Sequence, residues 1–351
     1  MEVFFCCLNL LLTVYNTDIL YKTIAFFFFA ALSIPSSYAQ EKKYYFSEAK
    51  MGSPFSIILV SGDSLKAAVL AHEAYALIDS FNTLFSDYDT SSELSRLNAA
   101  AGKGKVSISP SLWNMISYSK MAYEKSEGAF DITIGPLSHL WRVARKEKRF
   151  PDSLSVNVKR KMVGFYHIRT DSTNREITLP VTGMKLDLGG IAKGYIAQQV
   201  IEFLKSRGIT RALADAGGDI VMSGAPPGTK GWLIGVNMPE TTDKLLPKKL
   251  LLKNMAVATS GDAYQYLEHN GIRYSHIVDP RTGYGISSQR NVTVIANSGT
   301  DADWLATACS ILPIASAKKL VLALQAEVLI TELVNGKIIY HSTKGFSRYL
   351  E

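Results

Sequence analysis

The segment Lys185–Tyr195, KLDLGGIAKGY, constrains the fold more than any other stretch of this 351-residue chain. A strand-patterned run, Met184–Leu188, meets a helical run, Ile191–Ser206, with only Gly189 and Gly190 between them. Glycines at such a junction permit positive φ and let the backbone approach a ligand closely. The helix N-terminus that follows offers unpaired N–H groups, and Lys193 adds a cation, so the junction reads as a phosphate cradle. Glycine pairs before helices are common, so the segment gains meaning only from what surrounds it.

Around it, strand and helix patterns alternate without regular βαβ order. Strands are expected at Tyr44–Phe46, Phe55–Val60, Val163–Arg169, Glu176–Leu179 and Met184–Leu188. Helices are expected at Asp63–Phe85, from Ser109-Pro110 to about Lys125, and at Leu137–Arg145, Ile191–Ser206, Thr300–Ile311 and Ala315–Leu324. Ser109 and Pro110 stand in the N-cap and N1 order. Leu250–Thr259 and Val292–Ala296 read as strands, Pro239–Lys249 as an exposed loop, and Asn335-Gly336 as a hairpin turn. This order favours an α+β fold over a doubly wound sheet. With 47% hydrophobic and 20% charged residues, the chain can build one large domain or two tightly fused ones. Net charge is +7, but no arginine-rich run or basic helix stripe gathers it, which argues against nucleic acid.

Thr23–Ile34 is an apolar run of signal-peptide length after Lys22, and Ser37-Tyr38-Ala39 supplies small residues at the −3 and −1 positions. Residues 1–39 therefore read as an export segment, cleaved before Gln40, with 40–351 as the mature domain. Residues 1–20 are also apolar and carry Asp18, so a start nearer Lys22, or retention at a membrane by both segments, stays open. Cleavage would shed Glu2, Asp18 and Lys22, two acids and one base, taking +7 to +8. It would leave Cys309 as the sole thiol, a packing residue without a disulfide partner.

Six segments carry more Gly, Asp, His and Thr than packing requires. They are Met51–Phe55 (MGSPF), Phe85–Asn98 (FSDYDTSSELSRLN), Gly128–Leu137 (GAFDITIGPL), Lys185–Tyr195, His276–Gly285 (HIVDPRTGYG) and Thr300–Ala308 (TDADWLATA). DAGGD, Asp215–Asp219, and AVATSGD, Ala256–Asp262, accompany them. In this order the set resembles the FAD:protein FMN transferases, the ApbE-type flavin-trafficking family, from about Met51 to Ile330. G-x-G-x-x-G after a strand, the P-loop, G-x-S-x-G and metal-type cysteine spacing are all absent.

The resemblance implies an α+β, T-fold-like architecture of mixed and antiparallel sheets with packed helices. It implies transfer of FMN from FAD to a Thr or Ser hydroxyl of an acceptor protein, with Mg²⁺ as cofactor and AMP released. Asp303 and Thr307 stand at i and i+4 on one helix face, where a carboxylate and a hydroxyl suit a hard cation. The ordinary alternative is a surface Asp and a Thr bonded back to its own helix. The family's metal positions fall on Gly190, Asp303 and Thr307. Its flavin positions fall on Met51, Tyr88, Ala129, Phe130, Asp131, Asp187, Lys193 and Ile277; some relatives carry an acidic residue where this chain has Lys193. Tyr88 and Phe130 are candidates to flank an aromatic ring. His276 is the candidate general base and, with Asp303, the catalytic set. The implied setting is the periplasm or the periplasmic face of the inner membrane, with acceptors among exported domains of membrane redox complexes. Two alternatives stay open: an FAD pyrophosphatase giving FMN and AMP, and a non-catalytic flavin-binding protein.

Overall fold

A computed structural model describes residues 40–236, 246, 248–261 and 265–351. The expected export segment and most of the expected loop at Pro239–Lys249 lie outside the described residues. From Glu41 onward the chain forms one unit. In chain order come β1 (Lys42–Lys50), β2 (Ser53–Ser61), α1 (Ser64–Phe85), α2 (Glu93–Ala99), β3 (Lys105–Ser107), α3 (Pro110–Lys125), α4 (Gly135–Glu147) and α5 (Ser153–Arg160). Then follow β4 (Arg169–Asp171), β5 (Glu176–Thr178), α6 (Ala192–Ser206), β6 (Ala212–Asp215), β7 (Asp219–Ser223), β8 (Trp232–Ile234), β9 (Leu250–Leu252) and β10 (Ala256–Gly261). The chain ends with β11 (Tyr266–His269), β12 (Ile272–Ser275), β13 (Arg290–Ala296), α7 (Gly299–Ile311), α8 (Ile314–Ala323), β14 (Glu327–Val334) and β15 (Lys337–Ser342).

Among the described residues, an eight-stranded antiparallel sheet runs β1-β2-β6-β7-β10-β13-β14-β15. Side chains alternate across it. Ala212, Ala214, Ala256, Ala258, Val292, Val294 and Ala296 face one core, while Leu213, Val257 and Ile295 face another. The first face carries small residues, so α6 and α7 lie close against the sheet. Both helices are themselves notched where they cross: a Cβ at Gly194 would strike Gly299 O and stand 2.6 Å from Asp303 Cβ. Smaller sheets, β3-β5-β4, β8-β9 and β11-β12, complete the α+β architecture expected from the sequence.

Capping follows the sequence. Asp63 Oδ1 accepts from Leu65 N and Lys66 N, and Ser109 caps α3 with Pro110 inside it. Three expected strands differ. Val163–Arg169 turns into a 3₁₀ helix at Phe165–His167, because Gly164 sits at φ 142° and the N–H groups of Gly164 and Phe165 donate to Thr133 Oγ1 and Asp131 Oδ2. Met184–Leu188 is extended but is not a ladder strand. The Asn98 amide brackets Leu186, donating to its carbonyl at 2.9 Å and accepting from its N–H at 2.7 Å. Asp187 N donates to Ile132 O at 2.7 Å. The expected strand Leu250–Thr259 breaks into β9 and β10 around Asn254, which has φ 53°.

Candidate active site

The glycine turn is shaped by space rather than by dihedral angle: neither Gly189 nor Gly190 has positive φ. A Cβ on Gly190 would lie 2.9 Å from Thr307 Oγ1 and 3.4 Å from Phe130 Cε2. Asp187 Oδ1 accepts from Gly189 N at 2.8 Å and holds the turn open toward α6. Thr307 comes from α7, one turn beyond Asp303. Its hydroxyl makes no hydrogen bond back to the helix, whereas Ser310 Oγ donates to Ala306 O at 2.9 Å. This removes the ordinary alternative for Thr307 and leaves its oxygen facing the turn.

Asp303 is buried, 6% exposed, and Oδ2 accepts from Gly194 N at 2.9 Å. That N–H belongs to the first turn of α6, so Asp303 caps a neighbouring helix. Burial pushes its carboxyl up to about 7, with Gly194 N–H and the Lys193 charge opposing. Asp219 is also pushed well above the usual carboxylate range, by burial first and then by the Asp303 charge. Asp215 is raised by burial, while Gly218 N and Gly217 N hold it down. Three carboxylates thus crowd around Lys193, which forms no ion pair within the described residues. Gly217 (φ 76°) and Gly218 (φ 106°) turn β6 into β7, and a Cβ on Gly217 would meet Ser53 Oγ at 2.7 Å. The turn therefore lies against the Met51-Gly52 hairpin, whose φ values are 53° and 76°.

Hard oxygen donors, an excess of negative charge and a hydroxyl without a protein partner among the described residues fit a divalent cation better than a second lysine. Among the described residues no three His, Cys, Asp or Glu side chains group with metal-site geometry. The candidate set of Gly190, Asp303 and Thr307 would need a backbone carbonyl and a hydroxyl beside its one carboxylate.

A second charged group sits at Tyr88 and Asp187. Arg142, on α4, donates to Asp87 Oδ2 at 3.0 Å, lies 3.7 Å from Asp187 Oδ2 and stacks 4.1 Å from the Tyr88 ring centroid. Ser138 Oγ donates to Asp187 Oδ2 at 2.6 Å. Burial and the Asp187 charge raise the Asp87 carboxyl, and Arg142 opposes them. A cavity of about 260 Å³ opens beside this group, lined by Asp87, Asn98, His139, Arg142 and Lys185 among others. The Tyr88 ring is 75% exposed and available to a ligand.

Ala129, Phe130 and Asp131 are buried instead. The Phe130 ring packs on Trp304 at 6.0 Å and floors the Gly190–Thr307 contact, so it is not a free stacking face. Asp131 Oδ1 accepts from Thr133 N and Oγ1, and Oδ2 accepts from Phe165 N. Burial pushes this carboxyl up to about 6. Its oxygens tie the 131–135 turn to the 164–165 turn.

His276 follows β12. Its backbone N–H donates to Gln265 O at 2.8 Å, while Nδ1 is shut off from solvent without a hydrogen-bond partner among the described residues. Burial, followed by the Arg145 charge, pulls the imidazole down to about 4. Ile277 is buried, with its N–H on Ser275 Oγ at 3.1 Å. The Asp279–Gly283 turn is anchored to α4 by Trp141 Nε1, which donates to Gly283 O at 2.9 Å. Sequence reasoning missed Asp87, Ser138, Arg142 and Arg145. The available signal was a pair of arginines at i and i+3, Arg142 and Arg145, on the helix that the GPL motif opens.

The ApbE family profile matches residues 51–330. A Klebsiella pneumoniae FAD:protein FMN transferase is 32% identical over 266 residues, 76% of this chain and 81% of that protein. The crystal structure of flavin transferase ApbE from Vibrio cholerae superposes with a TM-score of 0.79 at 27% identity, covering 88% of this chain and all of the other. Pseudomonas stutzeri flavinyl transferase ApbE, in its apo form, gives 0.78 at 28% identity, covering 88% and 97%.

Proposed function

Because the chain belongs to the ApbE family, we propose that it transfers FMN from FAD to a Thr or Ser hydroxyl of an acceptor protein and releases AMP. The observation that carries this reading is the convergence of the Gly189-Gly190 turn, the unbonded Thr307 hydroxyl, Asp303 and Lys193 at the start of α6. Such a junction offers N–H groups and a cation to a pyrophosphate. The acceptor oxygen attacks the FMN-side phosphorus, the anhydride P–O bond breaks toward AMP, and the hydroxyl proton passes to the His276 imidazole. Burial keeps that imidazole neutral at physiological pH, as a base must be. Asp187 and Tyr88, fixed by Ser138 and Arg142, orient the dinucleotide.

Gly190, through its carbonyl, with Asp303 and Thr307 would hold Mg²⁺; bound there, it offsets charge that develops as the anhydride opens. The apolar run Thr23–Ile34 and the small residues before Gln40 support export to the periplasm or the periplasmic face of the inner membrane. Exported domains of membrane redox complexes are the acceptor class in keeping with that setting.

The test is mass spectrometry of such a domain after incubation with the protein, FAD and Mg²⁺, beside an Asp303→Ala control. An FMN-sized gain on one Thr or Ser, absent in the control, is expected. Free FMN and AMP without that gain would indicate a pyrophosphatase, and unchanged bound FAD a binding protein.

A further inference from the structure

Among the described residues, two polar groups near the site are enclosed without partners. One is Nδ1 of His276, the imidazole that the proposed chemistry uses. The other is Arg145 Nη1, at the last turn of α4, which it does not. Buried guanidinium groups are almost always paired, because an unsatisfied charged donor loses its hydration with nothing in return. Arg142, one turn earlier, shows the usual arrangement with Asp87 and Asp187. Among the described residues Arg145 has no such carboxylate. The charges that act on it are the like charge of Arg142 and the polar Tyr88, and burial pulls its pKa down. Its own charge acts on both Tyr88 and His276. Arg145 is therefore within electrostatic reach of both groups, with an unused donor among the described residues.

We propose that Arg145 is a substrate-binding residue whose free Nη1 donates to a phosphoryl oxygen of the dinucleotide beside His276. The inference rests on FAD being the substrate. A phosphate oxygen supplies the acceptor that the protein withholds, and a guanidinium matches its geometry better than an ammonium does. The enclosed Nη1 goes unbonded in the free protein among the described residues, and the arriving anion would supply its acceptor. An arginine retained for packing would behave in the opposite way.

The full-length protein is compared with Arg145→Met and Arg145→Lys by FAD titration, FMN-transfer kinetics and melting temperature without ligand. In Arg145→Met, FAD affinity is expected to fall roughly 10- to 100-fold, as for a hydrogen bond to a charged group. The melting temperature should hold or rise, and Arg145→Lys should recover part of the affinity. Unchanged FAD affinity overturns the proposal, as does a parallel fall of affinity and melting temperature, which marks a structural arginine. If the wild type binds FAD but transfers no FMN, the catalytic reading fails while the affinity ratio still decides the role of Arg145. If transfer proceeds and the ratio is flat, only the role of Arg145 fails.

Discussion

His276 is kept neutral by enclosure and by a nearby guanidinium, so its behaviour with pH differs from that of an exposed histidine. With its pKa drawn down to about 4, the free base persists well below neutrality. With Mg²⁺ saturating, so that the Asp303 carboxyl is held ionised, the acidic limb of kcat/KM is expected near pH 4, because that ratio reports the free enzyme. His276→Gln should lower kcat by about 10²–10⁴-fold and abolish the limb, read from initial rates across pH. The stability sign follows. The unfolded chain takes the proton near its ordinary pKa of about 6.5, before the folded one does, so this residue's contribution falls as pH drops from there toward about 4. At this scale the motif residues were legible: Asp303, Thr307, Gly190 and Lys193 meet where their pattern suggests. Their companions were not. Arg142 and Arg145 read as surface cations on an ordinary helix; the packing of Tyr88, Asp87 and Asp187 around α4 sets Arg142 apart, and the enclosure of Nη1 sets Arg145 apart.

The α6–α7 contact is the element on which the site depends. Gly194 and Gly299 let the two backbones touch, and Asp303 caps α6 across the gap. Glycine to alanine inside a helix ordinarily stabilises by up to about 1 kcal/mol. Here the added methyl would collide with Gly299 O and press on Asp303 Cβ at 2.6 Å. Gly194→Ala is therefore expected to destabilise by about 1–3 kcal/mol in urea titration and to reduce transfer, since it displaces Asp303. Helix positions and caps were readable because 3.6-residue periodicity and residues such as Asp63 and Ser109 act locally. The segment Met184–Leu188 was misread as a strand because an extended apolar run looks alike whether its partner is a strand or, as here, the Asn98 amide.

At the scale of the molecule, the eight-stranded sheet and its two buried faces carry the fold without help from the site. Chelation by EDTA should therefore stop FMN transfer while leaving the far-ultraviolet circular dichroism unchanged. Returning Mg²⁺ should raise the melting temperature, because a cation that binds only the folded state relieves the repulsion between Asp303 and Asp219. A melting temperature indifferent to Mg²⁺ would count against the metal set. The class of fold was legible in the irregular order of elements, but the strand order was not: β2 pairs with β6, and β10 pairs with both β7 and β13, through partners that no local pattern announces. The same long reach governs timing. The N–H of Gly194 waits for a carboxylate 109 residues further along the chain. A polypeptide still emerging from the ribosome carries the glycine turn without the acid that caps the helix behind it, so the two halves of this contact meet only after residue 303 has been made.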